Sequence, residues 1–148
     1  MEWHIKFFNE LTTKELYNII QERINVFVVE QECPYFECDG KDNKSFHLYA
    51  KEDDQIVAYA RVLLPGISYK EASIGRVLVN KENRGNGLAR ELMKRAMDFI
   101  TEELQQDSIK ISGQEYLTDF YKSLGFKVVS DVYLEDGIPH LDMLYNKY

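Results

Sequence analysis

Cysteine, proline and glycine are scarce in this chain, at two, three and eight of 148 residues. With 45% hydrophobic and 29% charged residues, that scarcity excludes a low-complexity or disordered polymer and points to one buried core. Cys33 and Cys38 are too few for a disulfide scaffold or a four-ligand zinc site. They read as two reduced thiols, with a redox pair or a reactive Cys33 as the alternative. Positive charge is also short: 18 Lys and Arg against 25 Asp and Glu leave a net charge of -7. That balance argues against a sequence-independent grip on nucleic acid or on an anionic membrane, and suits a small cationic substrate better. Long apolar runs are missing too. The opening MEWHIKFF lacks the charged and apolar regions of a signal peptide, so the expected location is the cytoplasm.

The residues that are present order themselves into one domain spanning 1–148. Trp3, Ile5 and Phe7 alternate as a strand, and Thr12 with Glu15 forms a capping box ahead of Leu16, Ile19, Ile20, Ile24 and Phe27 at helical spacing. EQECPYFECDGKD then reads as an exposed acidic loop. SFHLYAK and QIVAYARVLL form a hairpin through EDD, and Pro65-Gly66 ends it. ASIGRVLV is a third strand, followed by NKENRGNG and by an amphipathic helix carrying Leu88, Leu92, Ala96, Phe99 and Ile100. SIKIS after that helix predicts a parallel crossover. A helix over about Glu115–Leu124 ends at Gly125, and KVVSDVYL and HLDMLYN supply the last two strands. The fold class is therefore α/β (α+β), with a mixed sheet of about six or seven strands and helices on both faces.

Gly85 and Gly87 lie between a strand and the first turn of a helix, where unpaired N–H groups and the helix dipole favour an anion. A P-loop is excluded because Leu88 and Ala89 stand where Lys and Ser or Thr are needed, and a dinucleotide turn would want glycine at Arg90. From Arg76 to Arg95, six bases (Arg76, Lys81, Arg84, Arg90, Lys94, Arg95) and two acids (Glu82, Glu91) give a local +4. In a chain of net -7 this is a localised anion site.

VLVNKENRGNGLA resembles the acyl-CoA-binding segment of the GNAT acetyltransferase superfamily, whose pattern Arg/Gln-x-x-Gly-x-Gly/Ala is met by Arg84, Gly87 and Ala89. QEYLTDFYKSLGF is similar to a second segment of that family, through Gln114, Tyr121, Gly125 and Phe126. VFVVEQECPYFECDGKD and EDGIPHLDM further resemble the ElaA-type branch. The resemblance implies a GNAT-like fold in which the strand before the glycine turn splays from the next parallel strand. It also implies acetyl-CoA as co-substrate and no metal. The pantetheine arm would run along the backbone of Val77, Leu78 and Val79, with the pyrophosphate on the N–H groups of Gly85, Asn86, Gly87, Leu88, Ala89 and Arg90 and with Arg84 and Gln114 nearby. Tyr121 would protonate the departing thiolate, and an amide N–H such as that of Val79 would polarise the carbonyl.

A base cannot be carried over in the same way, because ASIGRVLV has no carboxylate and Gly75 stands near the usual position. Glu30, Glu32, Glu37 and Asp39 of the acidic loop, and His140, are the alternatives, with Glu32 and His140 ranked first. His47 alternates within a strand and could face either side. The implied reaction is acetyl transfer to a small cationic amine or a peptide amine; a homodimer is left open. The rival readings are a non-catalytic acyl-CoA sensor and a dinucleotide-dependent oxidoreductase, the latter disfavoured by Arg90 and by the late glycine turn.

Overall fold

The computed structural model describes residues 1–148. Its first sheet is an antiparallel run in chain order, β1 (Glu2–Phe7), β2 (Ser45–Glu52), β3 (Gln55–Leu63) and β4 (Ser73–Val79). The second contains β5 (Ser108–Gln114), β6 (Lys127–Val128), β7 (Tyr133–Glu135) and β8 (Ile138–Asn146), with β8 pairing all three others. The sheets meet at one parallel bridge, Ala72 with Ile109, where the Lys110 N–H donates to the Ala72 carbonyl at 2.9 Å. The expected splay is present, and the strands number eight in two sheets. The extra strand arises because KVVSDVYL does not run straight: β6 stops at Val128, Val129 N–H still donates to Asp142 C=O at 2.9 Å, and strand pairing with β8 resumes at Tyr133.

Helix α1 (Thr13–Arg23) opens on the capping box, with Glu15 N–H donating to Thr12 Oγ1 at 3.1 Å and Thr12 N–H to Glu15 Oε1 at 2.8 Å. It continues through a wider-wound stretch to Glu30, held by bonds such as Cys33 N–H to Val28 C=O at 3.1 Å. Helix α2 (Leu88–Asp98) is prolonged similarly to Glu103. Helix α3 (Thr118–Ser123) is shorter than its sequence pattern, because Glu115–Leu117 winds as a 3-10 turn. It ends as expected at Gly125, whose φ is 101°. No helix is long and apolar enough to cross a membrane.

Alternation along β2 and β3 gives the sheet two different faces. Leu48, Ala50, Ala58, Ala60 and Val62 share a core with Leu92, Met93, Ala96 and Ile100 of α2, the small alanines letting that helix approach closely. The opposite face carries Tyr49 and Tyr59, packed with Ile19 of α1 and Val26 beyond it. On that face His47 and Arg61 are also buried. His47 is a structural residue: Tyr59 Oη lies 2.7 Å from Nδ1 and the Asp42 carbonyl 2.9 Å from Nε2.

Residues 31–41 form the loop read as acidic and exposed, and its chemistry differs from that expectation. Glu37 is buried, as is the following Asp42, and together with Asp39 they neutralise three arginines. Arg23 donates through Nε to Glu37 Oε1 at 2.5 Å and through Nη1 to Asp42 at 2.7 Å. Arg61 forks onto Asp39 at 2.9 and 2.8 Å, and Arg76 reaches Glu37 at 3.0 Å and Asp39 at 3.4 Å. Burial works against ionisation of Asp39, yet Arg61 and Arg76 hold its carboxyl well below the usual carboxylate range. Replacing Arg23 with Ala leaves two buried carboxylates short of a partner. Urea unfolding should then show a loss of about 3–5 kcal/mol, and a loss below about 1 kcal/mol would mean the cluster does not hold the loop.

Candidate active site

Between the parted strands β4 and β5 lies a cleft of about 1210 Å³. Its shape starts from a bulge. Tyr59 faces Leu78 and Arg61 faces Gly75, so Ala60 opposes both Arg76 and Val77. Arg76 takes up the extra residue with φ 52°. Beyond the bulge Asn80 N–H donates to Val57 C=O at 2.9 Å, which makes Ala58 and Val79 a pair not bonded to each other. The N–H and C=O of Val79 therefore point away from β3, into the cleft. Its carbonyl accepts from Arg84 Nε at 2.9 Å, leaving the N–H as the cleft's own donor. Leu78 is placed differently: its backbone faces β3 and its side chain is buried with Tyr59 and Ile19. Val77 is half-buried and lines the cleft.

The glycine turn forms the next part of the wall. Gly85 and Gly87 have φ of 89° and 76°, and a side chain at either would meet no atom within 4 Å, so both backbones are open to a ligand. The first intrahelical bond of α2 is Glu91 N–H to Gly87 C=O at 3.2 Å. Leu88, Ala89 and Arg90 consequently offer N–H groups without intrahelical acceptors. This cradle fits the diphosphate of a nucleotide cofactor. Arg90 adds positive charge beside it, held by Ser123 Oγ at 2.8 Å and over the Phe120 ring. Asn86 is exposed and does not line the cleft. Arg84 does not reach into the cradle: its guanidinium forks onto Glu30 at 2.7 and 2.9 Å, tying the end of the α1 extension to the turn.

Tyr121, on α3, is 7% exposed and lines the same cleft. Burial, reinforced by the nearby Tyr116 phenol, pushes its pKa up to about 12, so it stays protonated at neutral pH. Gly113 on β5 makes room for it. A Cβ there would lie 2.9 Å from Tyr121 Cε2, so only glycine lets the ring rest on the strand. Gln114, half-buried at the end of β5, also lines the cleft.

The two ranked bases are placed apart. Glu32, at φ 52°, is exposed and does not line the cleft. His140 is 7% exposed, lines it, and has Nδ1 2.7 Å from the Ile138 carbonyl and Nε2 3.3 Å from Glu135. The remaining loop acids are occupied, Glu30 by Arg84 and Glu37 and Asp39 by the arginine cluster, so none is free to hold an amine. Sequence reasoning missed Glu135, Tyr133 and Gly113. The Asp136-Gly137 turn, with φ of 50° and 78°, was the available signal, since it folds β7 back on β8 and brings Glu135 beside His140.

A family model described as an acetyltransferase (GNAT) domain matches residues 10–147. The chain belongs to the GNAT family. It is 46% identical over 145 residues to a UPF0039 protein of Schizosaccharomyces pombe, covering 97% of this chain and 95% of that protein. Protein ElaA of Escherichia coli is 38% identical over 145 residues, with the same coverage of 97% and 95%. Among solved structures, an acyl-CoA N-acyltransferase from Pseudomonas aeruginosa matches with TM-score 0.93 and 41% identity over 98% of this chain and 99% of that one. The crystal structure of Escherichia coli ElaA gives TM-score 0.92 and 37% identity over 99% and 100%. Both the family and its ElaA-type branch agree with the motif reading, and acyl transfer from coenzyme A is the chemistry this GNAT membership supports.

The close fit of the phenol on its glycine is open to test. Gly113→Ala should displace the Tyr121 ring, seen as a changed ring resonance, and lower stability by about 1–3 kcal/mol through overpacking. A variant with unaltered ring shifts and thermal midpoint would show that the ring has other room.

Proposed function

We propose that this protein transfers an acetyl group from acetyl-CoA to the primary amine of a small molecule or an exposed amino group, by direct attack through a tetrahedral intermediate. The observation that carries this reading is a protonated phenol, Tyr121, in the same cleft as the Val79 N–H and the glycine turn. Gly85, Gly87, Leu88, Ala89 and Arg90 would hold the diphosphate, and the splay between β4 and β5 would admit the pantetheine arm.

The roles follow from the chemistry. His140 removes a proton from the ammonium, and the neutral amine attacks the thioester carbonyl. The Val79 N–H donates to the oxygen as negative charge develops on it. As the carbon–sulfur bond breaks, Tyr121 protonates the leaving thiolate. The thiolate departs into the same poorly solvated cleft, where desolvation raises its own proton affinity toward that of the phenol. The second proton of the attacking nitrogen restores the phenol, and the proton held by His140 is released, so one proton is produced per turnover.

Acetyl-CoA titrated calorimetrically into the protein should bind saturably, and a panel of polyamines, lysine peptides and amino sugars should include an acceptor that drives thiol release. Absence of binding would remove the reading; binding without turnover across the panel would favour an acyl-CoA sensor. With a working acceptor, Tyr121→Phe should keep acetyl-CoA affinity and lower kcat by about 10²–10⁴-fold. Undiminished turnover in that variant would rule out Tyr121 as the proton donor.

A further inference from the structure

The transfer chemistry leaves Glu135 without a role, although its neighbour is the base. The geometry of the pair is specific. A carbonyl only accepts, so the 2.7 Å contact between His140 Nδ1 and Ile138 C=O places the ring proton on Nδ1. Nε2 of the neutral ring then presents a lone pair, 3.3 Å from Glu135 Oε2. Two acceptors at that separation repel unless a donor bridges them. The Nδ1 bond to Ile138 fixes the ring's orientation, and the ring lies nearly parallel to that of Tyr133, centroids 6.1 Å apart, which in turn donates to Asp142 at 2.6 Å.

The charges around the pair isolate Glu135 further. Asp142 is engaged by Tyr133, and Asp39 and Glu30 are engaged by arginines. Glu135 has no Lys or Arg partner, and its side chain is 53% exposed against 9% for His140. Tyr69, also in the cleft, has its pKa pushed up to about 12 by burial and by the charges of Asp142 and Glu135. The cations nearby are Lys110, whose Nζ lies 5.0 Å over the Tyr69 ring, and Lys41, bonded to Ser68; neither pairs with Glu135.

We propose that Glu135 and His140 Nε2 together form the ammonium site for the acceptor. Two N–H groups of a primary ammonium bridge the two acceptors. When one N–H bond breaks and its proton forms a bond to Nε2, Glu135 stays ionised and pairs with the new imidazolium. The site takes ammonium groups with at least two N–H donors and discriminates against quaternary ones of equal charge. This deepens the transferase reading and rests on it for its purpose, but its test involves neither acetyl-CoA nor turnover.

The chain has only three histidines, so their ring resonances can be followed individually by NMR. His47 is buried against Tyr59 and Asp42 and serves as an internal control. At a pH where His140 is neutral, propylammonium should shift its resonance saturably, and Glu135→Gln should weaken that binding at least about tenfold. Tetramethylammonium should shift it in neither protein. Equal propylammonium affinity in the two proteins, or a matching response to tetramethylammonium, would overturn the proposal. Either of these would leave the acetyl-CoA titration, and with it the transferase reading, untouched.

Discussion

Arg76 holds a left-handed backbone, φ 52°, in the middle of a strand, a conformation that costs an L residue about 1–2 kcal/mol. The bulge it creates turns Val79 outward and parts β4 from β5 beyond their single bridge at Ala72 and Ile109. Without that parting the two sheets would close into one, and the Val79 N–H would be spent on a neighbouring strand. The cleft, the free Val79 N–H and access to the glycine turn all follow from this local irregularity. The side chain of Arg76 is anchored to Glu37 and Asp39, so the strained residue is fixed from both backbone and side chain.

That anchoring explains how the most acidic long loop of a chain of net charge -7 can leave only Glu32 of its five acids unpaired. Arg23 from α1, Arg61 from β3 and Arg76 from β4 converge on one loop, and three carboxylates answer them. The loop thus becomes a wall of the cleft whose charges are internally balanced. Glu135, on the β7–β8 hairpin of the other sheet, has no such arginine partner.

Much of the fold was legible because it is written in local signals: the Thr12–Glu15 box, the helical spacing from Leu88, Gly125 as a terminator, and the glycine turn between a strand and a helix. What could not be read depends on contacts between distant segments. Arg23 and Arg61 stand 14 and 22 residues from their respective partners Glu37 and Asp39, and nothing in EQECPYFECDGKD betrays that all its acids but Glu32 are already paired. Arg84, a motif residue, is diverted by Glu30 across 54 positions. Tyr121 was found through its motif, while Gly113, which makes its position possible, carried no turn or cap signal. His140 was named, but Glu135 needed the hairpin register. The register itself was within reach through Asp136-Gly137.

Two half-sheets joined by one parallel bridge form a hinge-like seam in an otherwise continuous hydrogen-bonded structure. An extended amide-bearing chain laid in the seam would lie between β4 and β5 as a ninth strand, with the Val79 N–H left free. The two sheets would then be bridged by that ligand. Folding stability and ligand occupancy would become coupled quantities, the folded state gaining resistance to unfolding as the supply of that ligand rises.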